Sequence, residues 1–333
     1  MYPTNLSTGK IRGLSTTSTS KDIFAILALD HRQSFMKMVN PNNPDDVSPE
    51  DVLAIKSSIV KSLGNASSAV LLDPVYSAAQ TIHNFSLHAR TGLLVALEET
   101  GYSGTSTERE SSILKEWSAA KIKRMGADGV KLLIYYHPEL KALAEHQEEL
   151  VSKIVEECRR LDIAFFLEPV IYSNHPDFGK NSNEFATRRK EIILKTAHRL
   201  SRLDPDVLKI EFPVDPKYQT NEDEWFKACQ SLTQASTCPW TVLSAGVSFE
   251  TFARQVEIAC RAGASGFIGG RAIWKESIGL DEPERSNWVR ETGVKRMKML
   301  SRIAEMNGNP WRDYLPEPGQ ILSENWYKNY QQF

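Results

Sequence analysis

The chain has 333 residues, 41% hydrophobic and 25% charged, a balance that can enclose a sizeable core and excludes a disordered or fibrous chain. Forty basic residues stand against forty-two acidic ones, for a formal charge of −2. That gives no electrostatic reason to expect nucleic acid or an anionic membrane as a partner.

Residues 1–22, MYPTNLSTGKIRGLSTTSTSKD, are rich in Ser and Thr and have no apolar core for a signal peptide. They read as a loosely ordered extension of a soluble, cytoplasmic protein. From residue 23 to 308 short apolar runs alternate with segments of helical periodicity. The expected strands are Phe24–Asp30, Ala69–Pro74, Leu93–Glu98, Gly129–Tyr136, Ala164–Tyr172, Val207–Pro213, Trp240–Gly246 and Gly266–Arg271. Near-continuous hydrophobicity, as in FAILALD and AVLLDP, suits parallel strands covered by helices. The helical stretches include SSILKEWSAAKIKRMG, KALAEHQEELVSKIVEECRRL and ETFARQVEIACRAG. Gly126 and Gly263 stand where a helix C-terminus favours a left-handed residue. After the second strand YSAAQTIHNFSLHAR gives only a weak helical pattern. Residues 309–333, aromatic and broken by prolines, read as an appendage packed on the barrel or on a neighbouring subunit.

Eight strands in strict alternation with helices predict an α/β fold, a TIM (β/α)₈ barrel, for which ~250 residues is usual. A Rossmann-like sheet would need a G-x-G-x-x-G turn after the first strand, where the sequence reads ALDHRQSF. The scattered Cys158, Cys229, Cys238 and Cys260 form no C-x-x-C pair and read as packed thiols. Histidine spacing offers no metal site, and neither a Walker loop nor a G-x-S-x-G elbow occurs. No cofactor is expected.

Barrel chemistry collects at the C-terminal strand ends, which here carry Asp30, Asp73, Glu98, Glu168, Glu211, Ser244 and Arg271. Lys131 and Lys209 lie inside strands. If Leu208 and Ile210 face the helices, Lys209 faces the interior, where a buried ammonium favours a lowered pKa and nucleophilic attack on a ketone. A second inward lysine, Lys131, would depress that pKa further. An internal ion pair with Glu211 or Glu168 is the alternative reading of Lys209. Glu168 in AFFLEPVIY suits proton transfer, its pKa raised by apolar surroundings. Asp30 could bind substrate hydroxyls or fix Arg32, and Asp73 could simply cap its loop. LSAGV and GGRAIW after the last two strands offer Ser244, Gly246, Gly269, Gly270 and Arg271 to an anion, because backbone N–H groups at a helix start carry partial positive charge.

ALDHR, ETGY followed by TSTER, WSAAKIKRMGADGVKLLIYY, FFLEPVIY, DVLKIEFPV, LSAGVS and GGRAIW together resemble the tagatose 1,6-bisphosphate aldolase family. Its superfamily includes the sulfofructose phosphate aldolases of sulfosugar breakdown. The likeness runs in order from about Phe24 to Trp311. It implies a class I, metal-independent aldolase with Lys209 as Schiff-base former, Glu168 as acid–base residue and Lys131 lining the same pocket. It also implies that Ser244, Gly246, Gly270 and Arg271 bind an anionic sugar end group, with Asp30 beside the substrate. Two features depart from the family. His31 stands where glutamine is usual, bearing on contacts to sugar hydroxyls, and the chain continues past the usual Pro310–Trp311 ending. The expected reaction is cleavage of a phosphorylated ketose to dihydroxyacetone phosphate and an aldehyde. The alternative substrate is 6-deoxy-6-sulfofructose 1-phosphate, giving sulfolactaldehyde. A silent regulatory barrel would show replacements at Lys209 or Glu168, and both are present. A homo-oligomer is expected from the aromatic tail and the tendency of barrels to associate.

Overall fold

A computed structural model of the protein describes residues 6–315 and 324–330. Eight parallel strands close a barrel: β1 (Phe24–Leu29), β2 (Ala69–Leu72), β3 (Gly92–Ala96), β4 (Gly129–Tyr136), β5 (Ala164–Ile171), β6 (Val207–Glu211), β7 (Trp240–Leu243) and β8 (Gly266–Gly269). Each pairs with its chain neighbour, and β1 meets β8 through Phe24–Gly266 and Leu27–Gly269. Several strands stop one to three residues short of the expected ends, so Asp30, Glu98, Ser244 and Arg271 stand just beyond the ladder.

Alternation along the strands divides the core in two. Leu208, Ile210, Val130 and Leu132 point outward and pack with the surrounding helices. Phe166, Val207, Phe24, Ile26, Leu71 and Leu94 point inward and fill the lower barrel. Such a barrel is a packed interior and not a pore. The upper inward positions hold the charged residues.

The expected loose N-terminal extension is corrected over its described part: Thr8–Thr17 is a helix, α1, capped by the Ser7 side chain. Leu14 of α1 belongs to the inner barrel cluster, with Trp311 from the other end of the chain. Buried Lys10 donates to Asp206 at 2.8 Å. An open barrel bottom would leave the inner residues wet, and the face of α1 that carries Leu14 and Ile11 covers it. Its serines and threonines largely satisfy themselves, as where the Thr17 hydroxyl donates to the Gly13 carbonyl.

The longer helices α2 (Pro49–Leu63), α3 (Lys141–Arg160), α4 (Asn183–Leu200), α5 (Glu222–Ala235), α6 (Phe249–Arg261) and α7 (Val294–Asn307) surround the barrel. Gly126 and Gly263 take positive φ just past their helices, as the C-terminal glycine argument requires. The helix expected over 111–126 is confined to Ala119–Arg124. Ser118 caps it, while upstream the Ser111 hydroxyl accepts from the Tyr135 N–H at 2.7 Å and Ile113 bridges Glu98. Local helix propensity loses there to edge pairing over the barrel mouth. Of the C-terminal rings, Trp311 and Tyr314 are buried, but Trp326, Tyr327 and Tyr330 are exposed in this chain. The four cysteines are all buried and free. Among the described residues no helix is long and apolar enough to cross a membrane.

Candidate active site

At the C-terminal mouth of the barrel lies a cleft of about 810 Å³ lined by Asp30, Lys131, Glu168, Lys209 and Arg271 among others. The β4–β5 register sets Leu133 beside Glu168, and the β5–β6 ladder continues from Leu167–Leu208 to bring Glu168 next to Lys209. Lys209 Nζ donates to Glu168 Oε2 at 2.7 Å. Lys131 Nζ lies 2.8 Å from the same oxygen, 2.7 Å from Asp30 Oδ2 and 2.5 Å from Glu98 Oε1. Two formal positive charges therefore meet three negative ones, and the floor of the cleft carries a net −1.

That balance corrects two expectations about the acid–base pair. Burial pushes the Lys131 pKa down, but Asp30, Glu168 and Glu98 overcome it and hold the ammonium well above its ordinary range. Lys131 is thus a neutralised anchor for three carboxylates, not a free charge repelling Lys209. Burial likewise raises the Glu168 pKa, yet Lys131 and Lys209 outweigh it and hold the carboxyl below its usual range. The apolar setting of FFLEP is real along the strand, but cross-strand ammonium groups decide the charge state. Asp30 is also lowered: burial opposes ionisation and the charges of Lys131 and Lys209 prevail.

His31, beside Asp30, lies edge-on to Trp274 with ring centroids 5.4 Å apart. Burial, against the field of Asp30, lowers its pKa to about 4, so its 3.8 Å approach to Asp30 is that of a neutral imidazole. Its buried Nδ1 has no hydrogen-bond partner among the described residues. Arg32 bonds the Glu98 carbonyl and lies 3.7 Å from Glu99, so it braces the first loop against the third while lining the cleft. Asp73 is a structural residue: it pairs with buried Lys56 and accepts the N–H groups of Val75 and Tyr76.

The expected anion loops are partly assembled. Ser244 Oγ accepts the Gly270 N–H at 3.4 Å. Gly246 has φ +81°, and a Cβ there would come within 3.2 Å of Arg271 Cζ, so the missing side chain lets the guanidinium lie against the backbone. Gly269 is corrected: it is the last residue of β8, and a Cβ on it would meet Phe252 at 2.7 Å. It serves close packing of strand on helix.

Four residues lining the cleft take parts that the sequence reading did not give them. Glu98, noted only as a charged strand end, holds Lys131 and accepts the Leu133 N–H at 3.0 Å. Glu211 does not pair with Lys209. It accepts from Ile171 N–H at 3.0 Å and binds Lys180 at 2.7 Å and Arg189 at 3.4 Å. Lys180 sits in the loop after β5, and Arg189 on α4. No local pattern marks them, because only folding brings that loop over β6.

Residues 24–276 match the model of the DeoC/LacD family of aldolases, and the chain belongs to that family, making it a lyase acting on carbon–carbon bonds. The tagatose 1,6-diphosphate aldolase of Listeria monocytogenes serotype 4a is 31% identical over 326 residues, covering 92% of this chain and 94% of that one. The Lactococcus lactis enzyme of the same name is 30% identical over 328 residues, covering 92% and 99%. Among solved structures, an archaeal fructose 1,6-bisphosphate aldolase is similar at TM-score 0.58 and 21% identity, covering 89% of this chain and 99% of that one. A structure described as a Schiff-base-forming fructose-1,6-bisphosphate aldolase matches at TM-score 0.58 and 20% identity with the same coverage. At these identities the structural likeness speaks for the barrel alone.

Proposed function

We propose that the protein is a class I aldolase cleaving a phosphorylated ketose of the tagatose 1,6-bisphosphate kind to dihydroxyacetone phosphate and an aldehyde, through a Schiff base on Lys209. The observation that carries this reading is the buried Lys209–Glu168 pair, 2.7 Å apart, opening on a cleft that also holds Arg271. The names of the two tagatose 1,6-diphosphate aldolase relatives support the substrate class.

Glu168 takes a proton from Lys209 through their hydrogen bond, and the freed amine adds to the C2 carbonyl. Glu168 returns that proton to the carbinolamine hydroxyl, which leaves as water, so that the imine forms protonated, an electron sink for the neighbouring bond, and Glu168 is again a carboxylate. Glu168 then accepts the proton of the C4 hydroxyl as the C3–C4 bond breaks. Its electron pair passes into an enamine and the aldehyde departs. Protonation at C3 and addition of water release dihydroxyacetone phosphate and restore the amine. Lys131 acts by position, holding Asp30, Glu98 and Glu168 in place around the reacting carbons. Arg271, with the N–H groups near Ser244 and Gly270, receives the C1 phosphate.

Borohydride reduction in the presence of substrate, followed by peptide mass spectrometry, tests the scheme. A stable adduct on Lys209 is expected, and its absence in Lys209→Arg. Turnover with Lys209 unmodified would defeat the proposal.

A further inference from the structure

The mechanism leaves one charged cluster of the cleft unused. Lys180, Arg189 and Glu211 line the same cleft as Lys209, yet touch none of the residues assigned to bond cleavage. Around the barrel the order is β8, β7, β6, β5. Arg271 follows β8, Lys209 stands on β6, and Lys180 follows β5. The two cations therefore flank the nucleophile on opposite sides. A linear ketose with C2 at Lys209 and its first phosphate at Arg271 directs its far end toward Lys180.

The charges fit that direction. Lys180 and Arg189 share one carboxylate oxygen of Glu211, at 2.7 Å and 3.4 Å, so two positive charges meet one negative and the trio carries +1. Lys217 and Asp215 at the rim offset each other. Glu211 is fully engaged, its second oxygen accepting the Ile171 N–H at 3.0 Å, and Arg189 also donates to the Phe212 carbonyl at 3.0 Å. Among the described residues Glu211 is the sole hydrogen-bond or ion-pair partner of Lys180. An ammonium has three donors, which leaves Lys180 two N–H groups for a ligand. Between the positive trio and Arg271 lies the negative floor of Asp30, Glu98, Glu168 and the two lysines. This positive–negative–positive order matches a chain of hydroxyls with an anion at each end.

We propose that Lys180, positioned by Glu211 and backed by Arg189, is the subsite for a tetrahedral oxyanion, phosphate or sulfonate, at the far end of the substrate from Arg271. The subsite rests on the reading of Lys209 as the nucleophile for a ketose 1-phosphate unit. A lysine is a compact point charge, so it suits both anions without the bidentate geometry an arginine imposes.

The test compares kcat/KM for three substrates: a ketose 1,6-bisphosphate, the 6-deoxy-6-sulfo ketose 1-phosphate, and the ketose 1-phosphate with a neutral 6-hydroxyl. The wild-type enzyme should favour at least one anionic end by about tenfold or more over the neutral one, and Lys180→Met should collapse that ratio by about tenfold. Lys180→Arg should restore most of it. The arm that Lys180→Met damages more identifies the natural anion. A wild-type ratio near one, or an equal loss on all three substrates in Lys180→Met, would overturn the subsite, the latter leaving Lys180 a mere clamp between loop and strand. Calorimetric binding of the same compounds needs no turnover and separates the two readings. No turnover and no borohydride adduct sinks the role of Lys209, while binding of the anionic compounds weakened about tenfold by Lys180→Met still supports the subsite. Unchanged binding removes it.

Discussion

Replacing Lys131 by methionine keeps the aliphatic stem and removes the one cation that touches Asp30, Glu98 and Glu168 together, at 2.7, 2.5 and 2.8 Å. Deleting one partner of a buried pair costs ~3–5 kcal/mol when the other charge stays. Here the loss has a ceiling, because a stranded carboxylate can take up a proton. At 1.36 kcal/mol per pH unit above a reference pKa of ~4.3, protonation costs ~4.4 kcal/mol at pH 7.5 and ~1.6 kcal/mol at pH 5.5. In the wild-type protein Asp30 and Glu168 are held below their ordinary values. The stability they contribute is therefore complete above the unfolded pKa and is lost only as pH falls through the lower folded one. The wild type should accordingly change little in these groups between pH 7.5 and 5.5, while the variant recovers roughly 3 kcal/mol relative to it. Urea unfolding at the two pH values measures this directly. A destabilisation equal at both, or under about 1 kcal/mol at pH 7.5, would refute the argument that Lys131 is the shared counter-charge.

Two further substitutions probe the remaining roles. Glu168→Gln keeps the side-chain shape but accepts no proton, so kcat should fall by roughly 10²- to 10⁴-fold while borohydride still labels Lys209 slowly; a loss under tenfold would remove Glu168 from proton transfer. Lys10→Met strands Asp206, whose carboxyl is already raised by burial despite the nearby Lys10 charge, and should cost ~2–4 kcal/mol in urea unfolding. A cost below about 0.5 kcal/mol would mean that α1 caps the barrel by apolar contact alone.

The barrel was legible because its strands are apolar on both faces and its helices are not, so the period changes every few residues. Lys131, Glu168 and Lys209 stood out for the same reason: a charge inside an apolar run is expensive and invites a functional explanation. The helix α1 was illegible, since Ser and Thr suggest a loop until their hydroxyls are seen bonding back to their own carbonyls. Lys180 lay in a polar loop among many lysines, and nothing in NHPDFGKNSN distinguishes it.

Local sequence, then, determined the strand count, the closed parallel sheet and the identity of the ionisable residues set in the strands and at their ends, because periodicity and desolvation cost act within a few neighbouring positions. Which charge faces which was decided only by the tertiary structure. Glu211 lies two residues from Lys209, but binds Lys180 and Arg189 from the loop and helix after β5. Glu168, forty-one residues away, reaches Lys209 instead. Coulomb energy depends on distance in space, and the curvature of the barrel sets those distances.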